Sequence, residues 1–313
     1  MADTGDAAPW HGDTAPGPPG ARAVWTRASD GVRLRVGLFP VDGAEATALL
    51  FPGRTEYAEK YAHVAQGLAH RGIASAAIDW RGQGLADRVA DDAMLGHVGV
   101  FADYQLDVAA MLAAVRDAGL PPVRGLVAHS MGGAIGYRAL LKGLPVRGAL
   151  FTGPMWGIGM APPMRPVAWT VAAAGRAFGR GLAYVPTTSA ASYVAEGSFE
   201  RNALTRDREM WDLMVAQCLA EPRFALGGPS VHWLAEALRE TRALRAATPP
   251  AIPARILVGT GEVVVDPIAV RRVAARWPDA VLDVIDGARH EILMETPEVR
   301  EAALDAAAAL TQH

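Results

Sequence analysis

Short, nearly continuous apolar runs alternate with amphipathic stretches along most of this chain, and that alternation constrains its fold most. Runs at 46–51, 73–79, 124–129, 147–152, 254–259 and 281–285 read as strands, several of them apolar on both faces. Strands of that kind belong in a parallel sheet covered on both sides. Helical patterns at 56–69, 101–118, 131–141, 268–276 and 297–310 supply the cover. Ahead of them, 23–28 and 32–39 read as two strands joined by Ser29-Asp30-Gly31, a hairpin signal. The expectation is an α/β chain with an antiparallel start and a mostly parallel, helix-flanked sheet.

One stretch breaks the pattern. From Pro154 to Ala247 no convincing strand occurs, and a connection that long must be a structured insertion. The expected organisation is a disordered tail at 1–22, a core at 23–153 and 248–313, and a helical cap at 154–247. The cap follows the sixth predicted strand. The first twenty residues carry Asp3, Asp6 and Asp13, no Lys or Arg, and a Pro/Gly-rich end, unlike a signal peptide. No internal repeat is visible.

Composition excludes some classes of function. A formal net charge of −3 offers no footprint for nucleic acid. The single cysteine, Cys218, cannot form an intramolecular disulfide and sits in an apolar run, as a buried spacer would. The apolar stretch 166–177 is interrupted by Gly175 and Arg176 and is too short to cross a bilayer. A cytoplasmic protein is expected, with a peripheral membrane contact as an option and no indication of oligomeric state.

The strand ending Ala128-His129 runs into Ser130-Met131-Gly132-Gly133 and then a helix. A serine on such a turn is projected outward by a strained backbone and needs small neighbours, as in the G-x-S-x-G elbow. Ala128 replaces the first glycine of that pattern. A helix N-cap is the plainer use of such a serine. A catalytic serine also needs a base, and in elbows of this kind the order is serine, acid, histidine. Among the eight histidines, His290 is the one on the loop that directly follows the last strand. His63 and His70 fall seven apart on a helix and make a poor metal site, while His129 is expected to point elsewhere. The acid should follow the penultimate strand, where Glu262 and Asp266 both qualify; the other would cap the next helix. No cofactor or metal is called for.

These residues resemble the α/β-hydrolase superfamily and, within it, the bacterial lysophospholipases and monoacylglycerol lipases. The resemblance runs from about residue 46 to the C-terminus. Its marks are Phe51-Pro52-Gly53-Arg54 with Glu56 and Lys60-Tyr61, then Asp79-Trp80-Arg81-Gly82-Gln83-Gly84. Gly96-His97-Val98 follows, with Phe101, Asp103-Tyr104 and Asp107, and then the Ser130 elbow. Pro154-Met155, Leu204-Thr205, Gly227-Gly228-Pro229 with Trp233, and His290-Glu291-Ile292-Leu293 complete the set.

The resemblance implies an α/β-hydrolase fold, Ser130 as nucleophile, His290 as general base and Glu262, at a position usually aspartate, as the acid. It implies an oxyanion hole made by the amides of Met131 and Arg54. It also implies a lipid-ester substrate such as a lysophospholipid or monoacylglycerol. The segment 79–84, His97 and Asp103 are expected to be scaffold, with Arg81 tying loops together. In the cap, 154–188 contains no Asp or Glu but carries Arg165, Arg176 and Arg180 among Met and Trp residues, Trp156 included. That composition suits an acyl chain with a phosphate head group, or else it is the cap's own core. Rival functions are a peptidase or amidase on small substrates, and a non-catalytic binding protein.

Overall fold

The apolar runs become the strands of one nine-stranded sheet in a computed structural model that describes residues 5–161 and 163–312, apart from the side chains at 172, 176 and 177. In chain order the strands are β1 (Ala7–Ala8), β2 (Arg22–Arg27), β3 (Arg33–Phe39), β4 (Thr47–Phe51) and β5 (Ala74–Asp79). Then come β6 (Val123–His129), β7 (Gly148–Thr152), β8 (Ala254–Gly259) and β9 (Ala280–Ile285). Their order across the sheet is β1-β2-β3-β5-β4-β6-β7-β8-β9. β1, β2 and β3 pair antiparallel, as does β3 with β5, and every pairing from β5 through β4 to β9 is parallel. The fully buried strands β4, β5 and β7 are the ones whose sequences are apolar on both faces.

Helices α1 (Ala62–Ala69), α2 (Tyr104–Asp117), α3 (Ser130–Leu141), α7 (Pro267–Ala274) and α8 (Pro297–Gln312) cover the two faces. Between β7 and β8 lie α4 (Met164–Ala177), α5 (Arg208–Ala220) and α6 (Val231–Ala246). The larger core cluster packs α2, α3 and α7 on one face of the sheet, and the smaller packs α1 and α8 on the other.

Two expectations change. The segment 1–22 does not behave as a disordered tail where it is described, from residue 5 on. β1 pairs with β2, Trp10 meets Phe39 edge-on at 5.4 Å, and Ala15 is buried. Pro9 O accepts a bond from Arg35, and Thr14 O accepts one from Gln217 of α5. With β1 counted, the insertion follows the seventh strand instead of the sixth. The insertion is also less separate than its lack of strands suggests. Trp156 is fully buried against Tyr137, Phe151 and Trp277, and Trp233, Ala237 and Leu244 of α6 belong to the same cluster as the sheet. An Arg138–Glu240 pair at 2.7 Å ties α6 to α3.

Candidate active site

The turn from β6 into α3 forces Ser130 to a φ of 49°, a left-handed conformation that is strained for a residue with a side chain. The neighbours must be small. A Cβ on Gly132 would lie 2.1 Å from Phe51 O, and one on Gly133 would lie 2.7 Å from Pro154 Cβ. Alanine is tolerated at 128 because it faces Gly136, where an added Cβ would come 3.2 Å from the Ala128 methyl.

Ser130 Oγ lies 2.9 Å from His290 Nε2, and His290 Nδ1 lies 2.7 Å from Glu262 Oε2. An ionised carboxylate only accepts, so Nδ1 carries the proton and Nε2 presents its lone pair to the serine hydroxyl. Glu262 Oε1 accepts from the amides of Val264 at 2.7 Å and Val265 at 3.1 Å, which fixes the carboxylate in the loop after β8. Burial alone would raise the Glu262 pKa, but His290 and these two amides outweigh it and hold the carboxyl below its usual value. Asp266 is elsewhere: its Oδ1 caps α7 through Ile268 and Ala269, and its Oδ2 accepts from Arg165. The His290 loop is pinned from the insertion, since Glu291 N donates to Leu204 O and Arg289 donates to the carbonyls of Asn202 and Thr205.

Beneath this chain lies a buried charged cluster. Lys60 Nζ donates to Glu56 at 2.6 Å and to Glu291 at 2.7 Å. His129, expected to point away, stands beside His290 with ring centroids 4.7 Å apart and Nε2 3.2 Å from Glu291. Burial would lower the His129 pKa, yet Glu291 and Glu56 raise it. Burial would raise Glu291, yet Lys60 and His129 take it well below its usual value. Glu56, His129 and Glu291 bring ligand atoms within 4.8 Å of one another, as a metal site would. The Lys60 ammonium on both carboxylates already supplies the compensating charge.

Glu56 also accepts from Tyr61 Oη and from Gly53 N, so the cluster holds the loop after β4. Gln83 braces the same loop by donating to Gly53 O and Glu56 O. A Cβ on Gly53 would lie 3.1 Å from Ser130 Cβ, which sets this loop directly against the serine. Arg81 ties Asp30 and Asp107 together, and His97 bonds Ser230. The cluster was legible only as scattered motif residues; the signal was the i, i+4 spacing of Glu56 and Lys60.

Ser130 and His290 open into a cavity of about 710 Å³, roofed by Met155, Ile158, Met160, Met164, Val167 and Val171. Cys218 lies in its wall, 3.8 Å from Tyr57 Oη, with burial raising its thiol pKa. Of the arginines expected to face substrate from the cap, Arg165 is turned to Asp266 and Arg180 is exposed, and neither lines the cavity. The Arg176 side chain lies outside the described residues.

A mostly parallel sheet bearing a strained serine at a strand-to-helix turn, with histidine and carboxylate on later loops at its carboxyl edge, defines an α/β-hydrolase. The chain belongs to the serine aminopeptidase S33 family, whose model matches residues 42–297. It is 34% identical over 288 residues to lysophospholipase L2 of Escherichia coli K12, covering 88% of this chain and 83% of that protein. It is 28% identical over 269 residues to the probable lysophospholipase L2 of Haemophilus influenzae, covering 85% and 83%. Among solved structures, a soluble variant of monoglyceride lipase from Saccharomyces cerevisiae matches with a TM-score of 0.69 at 20% identity, over 91% of this chain and 92% of that one.

Proposed function

We propose that the protein is a serine hydrolase that cleaves carboxylic esters of monoacyl lipids, of the lysophospholipase or monoacylglycerol lipase type, through an acyl-enzyme. The observation that carries this is the hydrogen-bonded series Ser130–His290–Glu262 at the floor of an apolar cavity. Ser130 Oγ attacks the acyl carbonyl while His290 Nε2 takes its proton. Glu262 orients the ring and stabilises the imidazolium. The amides of Met131, in the first turn of α3 where helix N–H groups lack intrahelical acceptors, and of Arg54, on the loop against Ser130, receive the oxyanion. His290 then protonates the departing alcohol and activates water to release the fatty acid. The names of the curated relatives favour the lipid substrate.

An aminopeptidase must hold an α-ammonium, and the carboxylates lining the cavity here, Glu56 and Glu291, are both committed to Lys60. A fluorophosphonate should label Ser130 and not Ser130→Ala. Fatty acid should be released from a lysophospholipid or a monoacylglycerol far faster than an amine from an aminoacyl anilide. The reverse preference would transfer the site to the peptidase reading, and no labelling at all would leave a binding protein.

We also propose that the cap meets the membrane surface. Met164, Val167, Trp169, Phe178 and Leu182 are exposed in a segment without acidic residues, as interfacial elements require. Among the described residues no helix is long and apolar enough to cross a membrane. Co-sedimentation with anionic liposomes, lost in Trp169→Ser/Phe178→Ser, tests the contact; no binding by the parent protein removes it.

A further inference from the structure

A buried guanidinium normally sits on carboxylates, and two in this protein do: Arg35 on Asp79 and Glu59, and Arg81 on Asp30 and Asp107. Arg54 differs. Its Nη1 donates to Gly227 O at 2.9 Å, and its guanidinium lies 5.8 Å from the Trp233 ring. No carboxylate among the described residues pairs with it. Burial pushes its pKa down to about 10, opposed only by Tyr104, so it remains a cation at neutral pH with most of its donors uncommitted.

Its position gives those donors a purpose. Arg54 lines the apolar cavity above Ser130 and also a second chamber of about 520 Å³ that shares Thr55, Thr187, Ser192, Tyr193 and Pro229 with it. The second chamber has a polar wall bearing Thr187, Thr188, Ser189 and Ser192. Thr55 and Thr187, with φ of 67° and 74°, are held in left-handed conformations where the two chambers meet. An acyl chain fits the first chamber, and the polar remainder of the molecule would fall in the second. A half-buried cation at the junction, met by a carbonyl and a ring and by no carboxylate among the described residues, favours an anion there.

We propose that the Arg54 side chain is an anion subsite that receives the phosphodiester of the head group, making phosphate-bearing monoacyl lipids the preferred substrates over neutral monoacylglycerols. This rests on the lipid-ester function proposed above and names the substrate class for that site. The phosphate takes over the guanidinium's free N–H donors, in the two-pronged arrangement that arginine offers and lysine does not. The cation thus comes from the core loop that also carries an oxyanion amide, and not from the cap.

The test separates the subsite from the lipid function. Inhibition of 4-nitrophenyl butyrate hydrolysis is measured with hexylphosphocholine, with neutral hexylglycerol and with inorganic phosphate. The parent protein should bind hexylphosphocholine about 10- to 100-fold more tightly than hexylglycerol. That ratio should approach one in Arg54→Met and be intermediate in Arg54→Lys. Because each ratio is taken within one variant, effects on the shared chemical step cancel. Inorganic phosphate should inhibit only weakly; inhibition as strong as that by hexylphosphocholine would overturn the head-group assignment in favour of a free-phosphate site. A ratio near one in the parent, or one that survives Arg54→Met, overturns the subsite itself. In turnover, the kcat/KM of lysophosphatidylcholine relative to the matching monoacylglycerol should fall at least about 10-fold in Arg54→Met. An Arg54-dependent preference for hexylphosphocholine with no fatty acid released from either lipid would uphold the subsite and overturn the lipid-ester function.

Discussion

Replacing Glu262 should distinguish the carboxylate proposed to orient His290 from its neighbour Asp266, and the structure sets the size of the effect. At 2.7 Å from Nδ1, a carboxylate attracts the imidazolium formed in the transition state by about 6 kcal/mol at an effective dielectric of 20. Removing it in Glu262→Gln corresponds to a fall in kcat of about 10⁴-fold, the scale of triad carboxylate loss. Glu262→Asp withdraws the oxygen by about one bond length, to about 4 Å, where the same expression gives about 4 kcal/mol. The difference of about 2 kcal/mol predicts a loss of about 30-fold. It also strips the bonds from Val264 N and Val265 N that hold the carboxylate in place. Asp266→Ala removes only the cap of α7 and an outward pair with Arg165. Its cost is about 1 kcal/mol of stability with kcat changed less than about twofold. The assay is kcat on 4-nitrophenyl butyrate, normalised to Ser130 labelled by a fluorophosphonate, with thermal unfolding measured in parallel. Loss of activity in Asp266→Ala equal to that in Glu262→Gln, or retention of kcat within tenfold in Glu262→Gln, refutes the assignment.

Lys60→Met leaves Glu56 and Glu291 buried without their cation and should cost about 3–5 kcal/mol in urea unfolding, with partial recovery in Lys60→Met/Glu291→Gln. Burial pushes His63 down to about 4, so the unfolded chain, with an ordinary value of about 6.5, binds that proton more tightly. The His63 contribution to stability is therefore full above pH 6.5 and is lost as pH drops toward 4, and His63→Gln should flatten that limb by up to about 3 kcal/mol in pH-dependent unfolding. Gly132→Ala puts a methyl 2.1 Å from Phe51 O and should abolish both labelling of Ser130 and the native melting transition, whereas Gly136→Ala meets only side chains at 3.0 and 3.2 Å and should lower Tm by a few degrees.

The parts of this fold that were legible in the sequence are those whose order is local. β4, β5 and β7 are buried on both faces, so their apolar runs mark them directly. The turn at Ser130 announces itself because Gly132 and Gly133 are required within three residues of it. The N-terminal segment was illegible for the opposite reason. Its Pro/Gly-rich composition carries no periodicity, and its order comes from Phe39, Arg35 and Gln217, which are distant in the chain. The cluster around Lys60 was hidden likewise. Charged residues read as solvated faces unless a partner is known, and Glu291 lies 231 residues from Lys60.

The arginines show how composition misleads where direction decides. A run of sequence without carboxylates makes Arg165 look free for substrate, yet Asp266 reaches it from the start of α7. Arg54, between Gly53 and Thr55, looks like a backbone contributor only. Its side chain is left without a carboxylate because the elements around it, the loop at Gly227 and the Trp233 turn of α6, present a carbonyl and a ring. Both belong to the insertion, whose α6 is built into the main core. The insertion's contribution to recognition is therefore to enclose the cation that the core loop supplies: variants of Gly227 and Trp233 should alter head-group selectivity, and charge reversal at Arg165 should not.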